Sequence, residues 1–349
     1  MSNNRALRIG GACAFWGDSN QGVTQLVERG EVDVLVFDYL AELTMSLLAA
    51  ARTRDPEMGY AGDFITAVAP HLKTIAARGI KLLSNAGGIH PQACARALAK
   101  AASAAGVSLH IAVIEGDDLL PAETTLRAAD VRELDTGEPL PERLTSINAY
   151  LGAAPVVAAL RAGADVVITG RCADSALALA ALAHHFDWSF TDYDKLAAGS
   201  LVGHILECST QTTGGLFSDW WRVPGWDDMG YPIATCEADG SFTVGKPAGT
   251  GGLVTPLSVA EQMLCEVGDP AQYLLPDVTA DLTAVTLTQA GPDLVRVAGA
   301  RGRAPTPHYK VSAIRPDGYR LATTLTSWAS MPPRWGSARP RPSCNAAAA

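Results

Sequence analysis

The sequence predicts an α/β protein, with a mostly parallel sheet and helices on both faces, plus a smaller α+β region toward the C-terminus. Up to residue 190, short apolar runs alternate with segments of helical periodicity, and such alternation requires parallel strands joined by right-handed crossovers. The clearest run, Asp165–Thr169, leaves no room for polar alternation, which is typical of a strand buried on both faces. Beyond residue 190, strand-like runs at 284–287, 294–297 and 309–313 predict the smaller region.

The individual elements follow from local signals. Strands are predicted over 7–10, 32–37, 80–83, 109–114 and 165–169, each followed by a helical segment. One helix is expected over 64–78, ending at Gly79, because glycine commonly closes a helix. Another is expected over 176–185, where Asp174 or Ser175 would cap the free backbone N–H groups.

Length and composition limit the domain organisation and the partners. The 349 residues, of which 48% are hydrophobic, suffice for one or two domains with a real core. We expect an α/β domain over 1–190 and a smaller region packed on it over 191–326. Residues 327–349, rich in Arg, Pro, Ser and Ala, are expected to be disordered and to mark a frame-shifted or truncated end. A net charge of −9 argues against nucleic acid and anionic membranes as partners.

Cysteine usage and the N-terminal segment predict a cytoplasmic location. The seven cysteines are dispersed and form no C-x-x-C pair, which indicates reduced thiols and neither a disulfide framework nor a zinc site. The chain does not open with a charged segment followed by an apolar one, and its apolar stretches are too short to span a bilayer.

Polar or glycine residues follow every predicted strand of the first domain. Because the carboxyl ends of parallel strands meet at one edge of a sheet, where open α/β sheets bind ligands, we expect these residues to converge. In chain order the candidates are Trp16, Asp18, Asp38, Asn85, Gly87, Gly88, Glu115, Asp117, Arg171, Asp174 and Ser175.

These residue types suit an anionic ligand and proton transfer. The guanidinium of Arg171 fits a carboxylate or phosphate, and glycines such as Gly87 allow a close approach of the backbone. Glu115, Asp117 and Asp118 follow one strand and repel one another, which raises some of their pKa values or calls for a divalent cation. A carboxylate among Asp38, Glu115 and Asp117 is the candidate for moving a proton. Each candidate also has a simpler interpretation. Arg171 could be a surface arginine in an ordinary turn, Asp18 could be a helix cap, and residues 115–118 could form an exposed acidic loop. No metal site is predicted, because no H-x-x-E-H or comparable spacing occurs.

A second group of candidates lies in residues 203–215. Cys208 would be a nucleophile if a base such as His204 contacted it, and the alternative is a buried, unreactive thiol. Glu207 and Gln211 are candidates for hydrogen bonding a substrate. Farther along, the loop containing Gly249, Thr250 and Gly251 precedes Thr255 and Pro256, which signal a helix start. This loop is therefore a second candidate for holding an anion.

No redox cofactor is predicted. The first strand and its loop invite a nucleotide-binding interpretation, but the glycines lack the G-x-G-x-x-G spacing and no G-x-x-x-x-G-K-[ST] motif occurs. A dehydrogenase is therefore disfavoured.

Several motifs together resemble the acyclic terpene utilisation AtuA family, formerly a domain of unknown function. They span roughly residues 7 to 325 and are Gly10–Ala12 with Phe15–Asp18, Asp38–Glu42, Asn85–Gly88, Asn148–Ala153, Thr169–Ser175, Glu207–Cys208 with Gln211 and Gly214–Gly215, and Gly249–Val254. The tail departs from the resemblance, since family sequence is expected to continue there as a helix. The resemblance implies a role near the breakdown of acyclic terpenes such as citronellol and geraniol, whose carbon skeletons are degraded as branched acyl-CoA thioesters. It supplies no reaction.

Three hypotheses about the function follow. The first is an enzyme acting on a branched acyl-CoA or related carboxylate by a hydratase or lyase-type step, with Arg171 and the glycine loops holding the anionic end while a carboxylate moves a proton. The alternative is a noncatalytic subunit or binding module of a catabolic complex, and a metal-dependent hydrolase is a third hypothesis. The expected partners are a small-molecule substrate and a second copy of the chain or a small partner subunit.

Overall fold

Nine strands form a single mixed sheet in the computed structural model of the protein, which describes residues 5–318. Five further strands of residues 5–318 belong to two smaller sheets. All strands, in chain order, are β1 (Leu7–Cys13), β2 (Val34–Phe37), β3 (Lys81–Ser84), β4 (Ile111–Ile114), β5 (Ser146–Ala149), β6 (Val166–Thr169), β7 (Ile233–Cys236), β8 (Phe242–Gly245), β9 (Tyr273–Leu274), β10 (Thr279–Asp281), β11 (Thr286–Gly291), β12 (Leu294–Ala298), β13 (Arg301–Arg303) and β14 (Val311–Ile314).

Helices connect the strands of the first half and are fewer in the second. They are α1 (Gln21–Arg29), α2 (Glu42–Arg54), α3 (Asp63–Val68), α4 (Leu72–Arg78), α5 (Pro91–Ala104), α6 (Glu123–Ala128), α7 (Ala154–Arg161), α8 (Ala176–His185), α9 (Tyr193–Glu207) and α10 (Pro256–Leu264). Short 3₁₀ turns cover Ala69–His71, Leu120–Ala122, Ser209–Gln211, Trp220–Arg222 and Trp226–Asp228.

The order of strands in the main sheet is β11-β12-β8-β7-β1-β2-β3-β6-β4. From β1 to β4 all neighbours run parallel, as the βα alternation predicts. From β1 outward through β7, β8, β12 and β11 all neighbours run antiparallel. The α/β class is therefore confirmed, but a mostly parallel sheet is not, because hairpin-connected strands of the second half extend the same sheet.

The second half also contributes two small sheets. Strands β9, β10 and β13 form one, and β14 pairs with β5 to form the other. The chain up to Arg315 is one compact unit, and strands from both sides of residue 190 lie in its main sheet. The division at residue 190 stays a prediction, and the predicted disordered tail over 327–349 lies outside the described residues. No helix within residues 5–318 is long and apolar enough to cross a membrane.

The central strands are buried on both faces, as their lack of polar alternation predicts. In β2, Val34 and Val36 pack into the core that α7, α8 and α9 cover, whereas Leu35 and Phe37 face the core beneath α1 to α5. Helix α8 is buried over 176–183, in keeping with an apolar surface around its whole circumference.

Two predicted helix details differ from the structure, and one agrees. The helix expected over 64–78 is divided into α3 and α4, because Pro70 lacks the N–H that an uninterrupted helix needs. Ser175 occupies the position before α8 but its side chain forms no cap, and Asp174 pairs with an arginine instead. The start of α10 is confirmed, with Thr255 and Ser258 forming a reciprocal capping box.

Two glycines let α9 approach the sheet and α8 closely. A Cβ atom on Gly203 would lie 2.5 Å from the backbone of Ser175, and one on Gly11 would lie 2.6 Å from the carbonyl oxygen of Leu206. Only glycine allows this approach, which brings the C-terminal end of α9 to the tips of β1 and β6.

We expect Gly203→Ala to destabilise the fold by about 1–3 kcal/mol, because the added methyl group must push α9 away from Ser175. Urea unfolding measures the loss. Gly62→Ala is the matched control, since a Cβ atom there meets nothing within 4 Å and the backbone is already helical. Equal unfolding free energies for the two variants would contradict this account of the packing.

Candidate active site

A cavity of about 600 Å³ opens where the tips of β1, β2 and β6 meet the end of α9. The segment around β9 and the residues before β14 complete its wall. The lining combines a polar floor with apolar sides, and consists of Ala14, Asp38, Leu40, Ala41, Glu42, Leu134, Tyr150, Arg171, Ala173, Asp174, Glu207, Cys208, Glu266, Tyr273, Leu274, Leu275, Pro276, Thr306, His308, Tyr309 and Lys310. The cavity thus lies at the carboxyl edge of the parallel strands, where the sequence predicts a ligand site.

Three carboxyl groups from distant parts of the chain meet at the floor. Asp38 follows β2, Asp174 follows β6 and Glu207 ends α9, and one oxygen of each lies within 4.8 Å of the others. Asp38 is fixed in place by Asn85, whose Nδ2 donates to Asp38 Oδ1 over 2.7 Å, and by the N–H of Leu40. We refer to Asp38, Asp174 and Glu207 as the carboxyl cluster.

The side chain of Arg171 balances part of this charge. Its Nη1 donates to Asp174 Oδ1 over 2.6 Å and to the carbonyl of Cys172 over 3.0 Å, and its Cζ lies 4.0 Å from the ring centre of Tyr150. Only 2% of the residue is exposed. The guanidinium therefore acts directly on the carboxyl cluster through Nη1, while its Nε has no hydrogen-bond partner within residues 5–318.

Burial and mutual repulsion favour the protonated forms of two members of the cluster. Burial raises the pKa of Asp38 well above its ordinary value; the nearby Asp174 and Glu207 carboxylates raise it further, while Arg171 and the hydrogen bond from Asn85 oppose them. Burial also raises the pKa of Glu207, to about 7, although His204 opposes the shift. The floor can therefore take up and release protons near neutral pH.

The comparison with family models agrees with the resemblance of the sequence motifs. A family model described as "Acyclic terpene utilisation family protein AtuA" matches residues 7–331. The chain belongs to this AtuA family. Neither a curated protein nor a solved structure matches the chain. The family thus gives a role in acyclic terpene utilisation, and the chemistry must be argued from the cavity.

His204 contacts Glu207 and not Cys208. Its Nδ1 lies 2.8 Å from Glu207 Oε1, and its Nε2 lies 3.1 Å from the carbonyl oxygen of Met263. Burial and the neighbouring Glu207 carboxylate raise the pKa of the Cys208 thiol, which disfavours the nucleophilic thiolate. Cys208 lines the cavity, as a nucleophile must, but the base that the hypothesis requires faces elsewhere. Its catalytic role stays a prediction.

Other predicted residues support the site from behind. Asn85 orients Asp38, and Asp117 accepts hydrogen bonds from the N–H of Arg171 and from Asn148 Nδ2, both over 2.8 Å. Asp117 is buried and lies outside the cavity lining. It therefore holds the tip of β6 in place, and its role in proton transfer stays a prediction.

The remaining candidates do not line this cavity, and their roles stay predictions. They are Trp16, Asp18, Gly87, Gly88, Glu115, Ser175, Gln211, Gly249, Thr250 and Gly251. Packing accounts for the glycines after β3: a Cβ atom on Gly87 would lie 2.4 Å from the carbonyl oxygen of Thr169. The loop at 249–251 is closed by Lys246, which pairs with Asp293 over 3.0 Å and donates to the carbonyl of Thr250.

Three residues at the mouth of the cavity were not selected as site residues from the sequence. Tyr150 donates a hydrogen bond to Glu42, and Lys310 Nζ lies 3.4 Å from Glu42 Oε1 and 4.8 Å from the centre of the Tyr150 ring. Burial acts to raise the pKa of Glu42, but the hydrogen bond from Tyr150 and the charge of Lys310 outweigh it and lower this pKa to about 2. Glu42 and Tyr150 fall within the family-like motifs, so that signal was available for them.

The cluster also has the donor atoms of a metal site. Carboxyl oxygens are the ligands that Mg²⁺ and Ca²⁺ prefer, and three of them converge here. Arg171, however, already balances part of the negative charge, and burial raises the pKa values of Asp38 and Glu207, which favours their protonated forms. A cation would have to displace such protons and bind beside a guanidinium.

Asp277 supports the cavity wall, and burial of its carboxyl group makes the stability of the fold depend on pH. It follows Pro276 in the lining, and its Oδ2 accepts a hydrogen bond from the N–H of Ala153 over 2.8 Å. Burial raises its pKa from 3.8 to about 6, and the hydrogen bond from Ala153 only partly opposes this. The folded state thus holds a proton that the unfolded chain loses, so this contribution to stability is full below pH 4 and is lost as pH rises through 6.

We expect Asp277→Asn to raise the free energy of unfolding at pH 7.5 by about 1–3 kcal/mol and to leave it nearly unchanged at pH 4, because the amide accepts the same hydrogen bond without a buried charge. Urea unfolding at both pH values measures this difference. Asp227→Asn, at an exposed carboxyl, is the control. Destabilisation of Asp277→Asn at pH 7.5 would show that the ionised carboxylate is needed at the start of α7.

Proposed function

We propose that this AtuA-family chain is an enzyme that acts on a branched acyl-CoA thioester or a related carboxylate by a hydratase or lyase-type step. The observation that carries the proposal is the carboxyl cluster at the floor of a cavity that also has apolar side chains in its walls. Glu207 and Asp38 act as the proton-transferring groups, and Asp174 with Arg171 sets the charge around them.

Acid and base roles are supported by the different environments of the two carboxyls. A general acid or base works best with a pKa near the working pH, and the pKa of Glu207 is raised to about 7 by burial. The pKa of Asp38 is raised well above its ordinary value by burial and by Asp174, so this carboxyl keeps its proton. Pairs of carboxyls with distinct environments divide acid and base work in this way.

A dehydration then proceeds with both groups. Ionised Glu207 takes the proton from the carbon next to the thioester carbonyl, and protonated Asp38 gives its proton to the departing hydroxyl group. The C–H and C–O bonds break, the C–H electron pair forms the double bond, and water leaves. Hydration is the reverse, with the proton positions exchanged. One dehydration leaves Glu207 protonated and Asp38 ionised, so a proton passes from Glu207 back to Asp38 before the next turnover.

Arg171 has a task here beside the anion binding expected from the sequence, which stays a prediction. The residue is nearly fully buried and paired with Asp174, but it lines the cavity and its Nε has no hydrogen-bond partner in the described part of the chain. Its charge also limits the rise in the pKa of Asp38. The proposed enzyme uses it to keep three carboxyls together in a low-dielectric site.

The walls of the cavity suit a hydrocarbon chain. Apolar side chains from three separate segments line it, including Leu40, Leu134, Leu274, Leu275 and Pro276. A mostly apolar lining with a few convergent polar groups is typical of a small-molecule site. A branched acyl group is the part of the proposed substrate that would contact this surface.

We expect Glu207→Gln to lower kcat for a branched acyl-CoA substrate by about 100-fold or more, because it removes a general base or acid. Wild-type kcat/KM should change with pH around 7, the pKa of Glu207, and the variant should lose that dependence. Absorbance of the conjugated thioester follows turnover.

Glu28→Gln, at an exposed helix position, is the matched control and should retain wild-type activity. A Glu207→Gln enzyme with activity within twofold of wild type would contradict the assignment. Binding of the thioester by wild-type protein without turnover would instead favour the noncatalytic binding module.

We expect Mg²⁺ or Mn²⁺ to shift the Tm of chelator-treated wild-type protein no more than it shifts the Tm of Asp38→Asn. The reason is that protons and Arg171 already balance the charge of the carboxyl cluster. Thermal unfolding with each ion at millimolar concentration measures this. Stabilisation of the wild type that Asp38→Asn abolishes would overturn the proton-based mechanism and indicate a metal-dependent enzyme.

A further inference from the structure

A lysine stands at the mouth of the cavity on a rigid support. Lys310 immediately precedes β14, and its carbonyl accepts a hydrogen bond from the N–H of Tyr150 over 3.0 Å. The next residue, Val311, pairs with Ala149 in β5. An antiparallel ladder therefore fixes the backbone of Lys310 beside the cavity, and only its side chain is left to adjust.

The ammonium group of Lys310 is available to a ligand. Its side chain is 63% exposed, and its contact with Glu42 is a long 3.4 Å, as expected of a weak surface pair. Glu42 already accepts the hydrogen bond of Tyr150. Two of the three ammonium donors have no protein acceptor within residues 5–318, so they remain for an anionic group.

The balance of charge in the lining makes this cation significant. The acidic lining residues are Asp38, Glu42, Asp174, Glu207 and Glu266. Among the Lys and Arg side chains that line the cavity in the described part of the chain, Arg171 is buried and paired, and Lys310 is exposed. An anionic ligand that enters this acidic cavity has Lys310 as its exposed counter-charge.

We propose that Lys310 is the residue that recognises an anionic oxygen group of the ligand at the cavity mouth. The proposal rests on the proposed function and adds a specificity-determining residue to it. Two ligand parts carry this chemistry: the phosphates of a coenzyme A carrier and the carboxylate of a free acid. A charge-assisted hydrogen bond to either would form in the same place.

Binding measurements with three matched ligands distinguish these sources. Calorimetry compares wild type and Lys310→Gln for a branched acyl-CoA, for the phosphate-free N-acetylcysteamine thioester of the same acid and for the free acid. If Lys310 reads phosphate, the variant should bind the acyl-CoA about tenfold more weakly and the phosphate-free thioester equally well. If Lys310 binds a carboxylate, Lys310→Gln should instead bind the free acid more weakly than wild type does. Lys310→Arg should bind more tightly than Lys310→Gln in either case.

Two controls separate failure of this proposal from failure of the proposed function. Lys73→Gln, at an exposed lysine outside the cavity lining, should bind every ligand as wild type does. Inorganic pyrophosphate at low salt probes the mouth without any acyl group. Wild-type protein that binds pyrophosphate through Lys310 but binds none of the three ligands would refute the proposed function alone. Equal binding of all probes by wild type and Lys310→Gln, or no binding of any probe by wild type, would overturn the role of Lys310.

Discussion

The ion pair between Arg171 and Asp174 is the interaction on which the site depends. Three carboxyl groups within 4.8 Å of one another would repel strongly in a buried environment, and a guanidinium 2.6 Å from one of them offsets part of that cost. The pair is itself held from two sides. Asp117 fixes the backbone N–H of Arg171, and the ring of Tyr150 covers its guanidinium. The charges of Arg171 and of the three carboxyl groups thus depend on one another. Binding and release of protons by the carboxyls sets the net charge of the cavity floor.

Both halves of the chain build this unit. Asp38, Arg171 and Asp174 come from the parallel strands, whereas Glu207 arrives at the end of a helix that packs closely through Gly203. The antiparallel half supplies the wall around β9 and the strand that carries Lys310. The cavity therefore contains residues from both halves, and neither half would complete it alone.

The polarity of the cavity has a simple physical logic. Its floor is acidic and buried, its sides are apolar, and its mouth carries an exposed ammonium group. Proton transfer benefits from the low dielectric of the floor, where pKa values shift, whereas recognition of an anion at the mouth avoids bringing that charge beside the carboxyls. Separation of the two tasks along one cavity is what the proposed reaction needs.

The sequence by itself determined the α/β class, the five parallel strands, the family and the placement of Asp38, Arg171 and Asp174 at one edge of the sheet. These conclusions depend on local periodicity, on the rule that parallel strands share one edge, and on motifs. Only the tertiary structure decided that antiparallel strands extend the sheet, that Arg171 is buried and that Lys310 stands at the mouth. Strand order, burial and long-range pairing such as that of β14 with β5 depend on contacts between residues far apart in the chain, which the periodicity of any single segment does not encode.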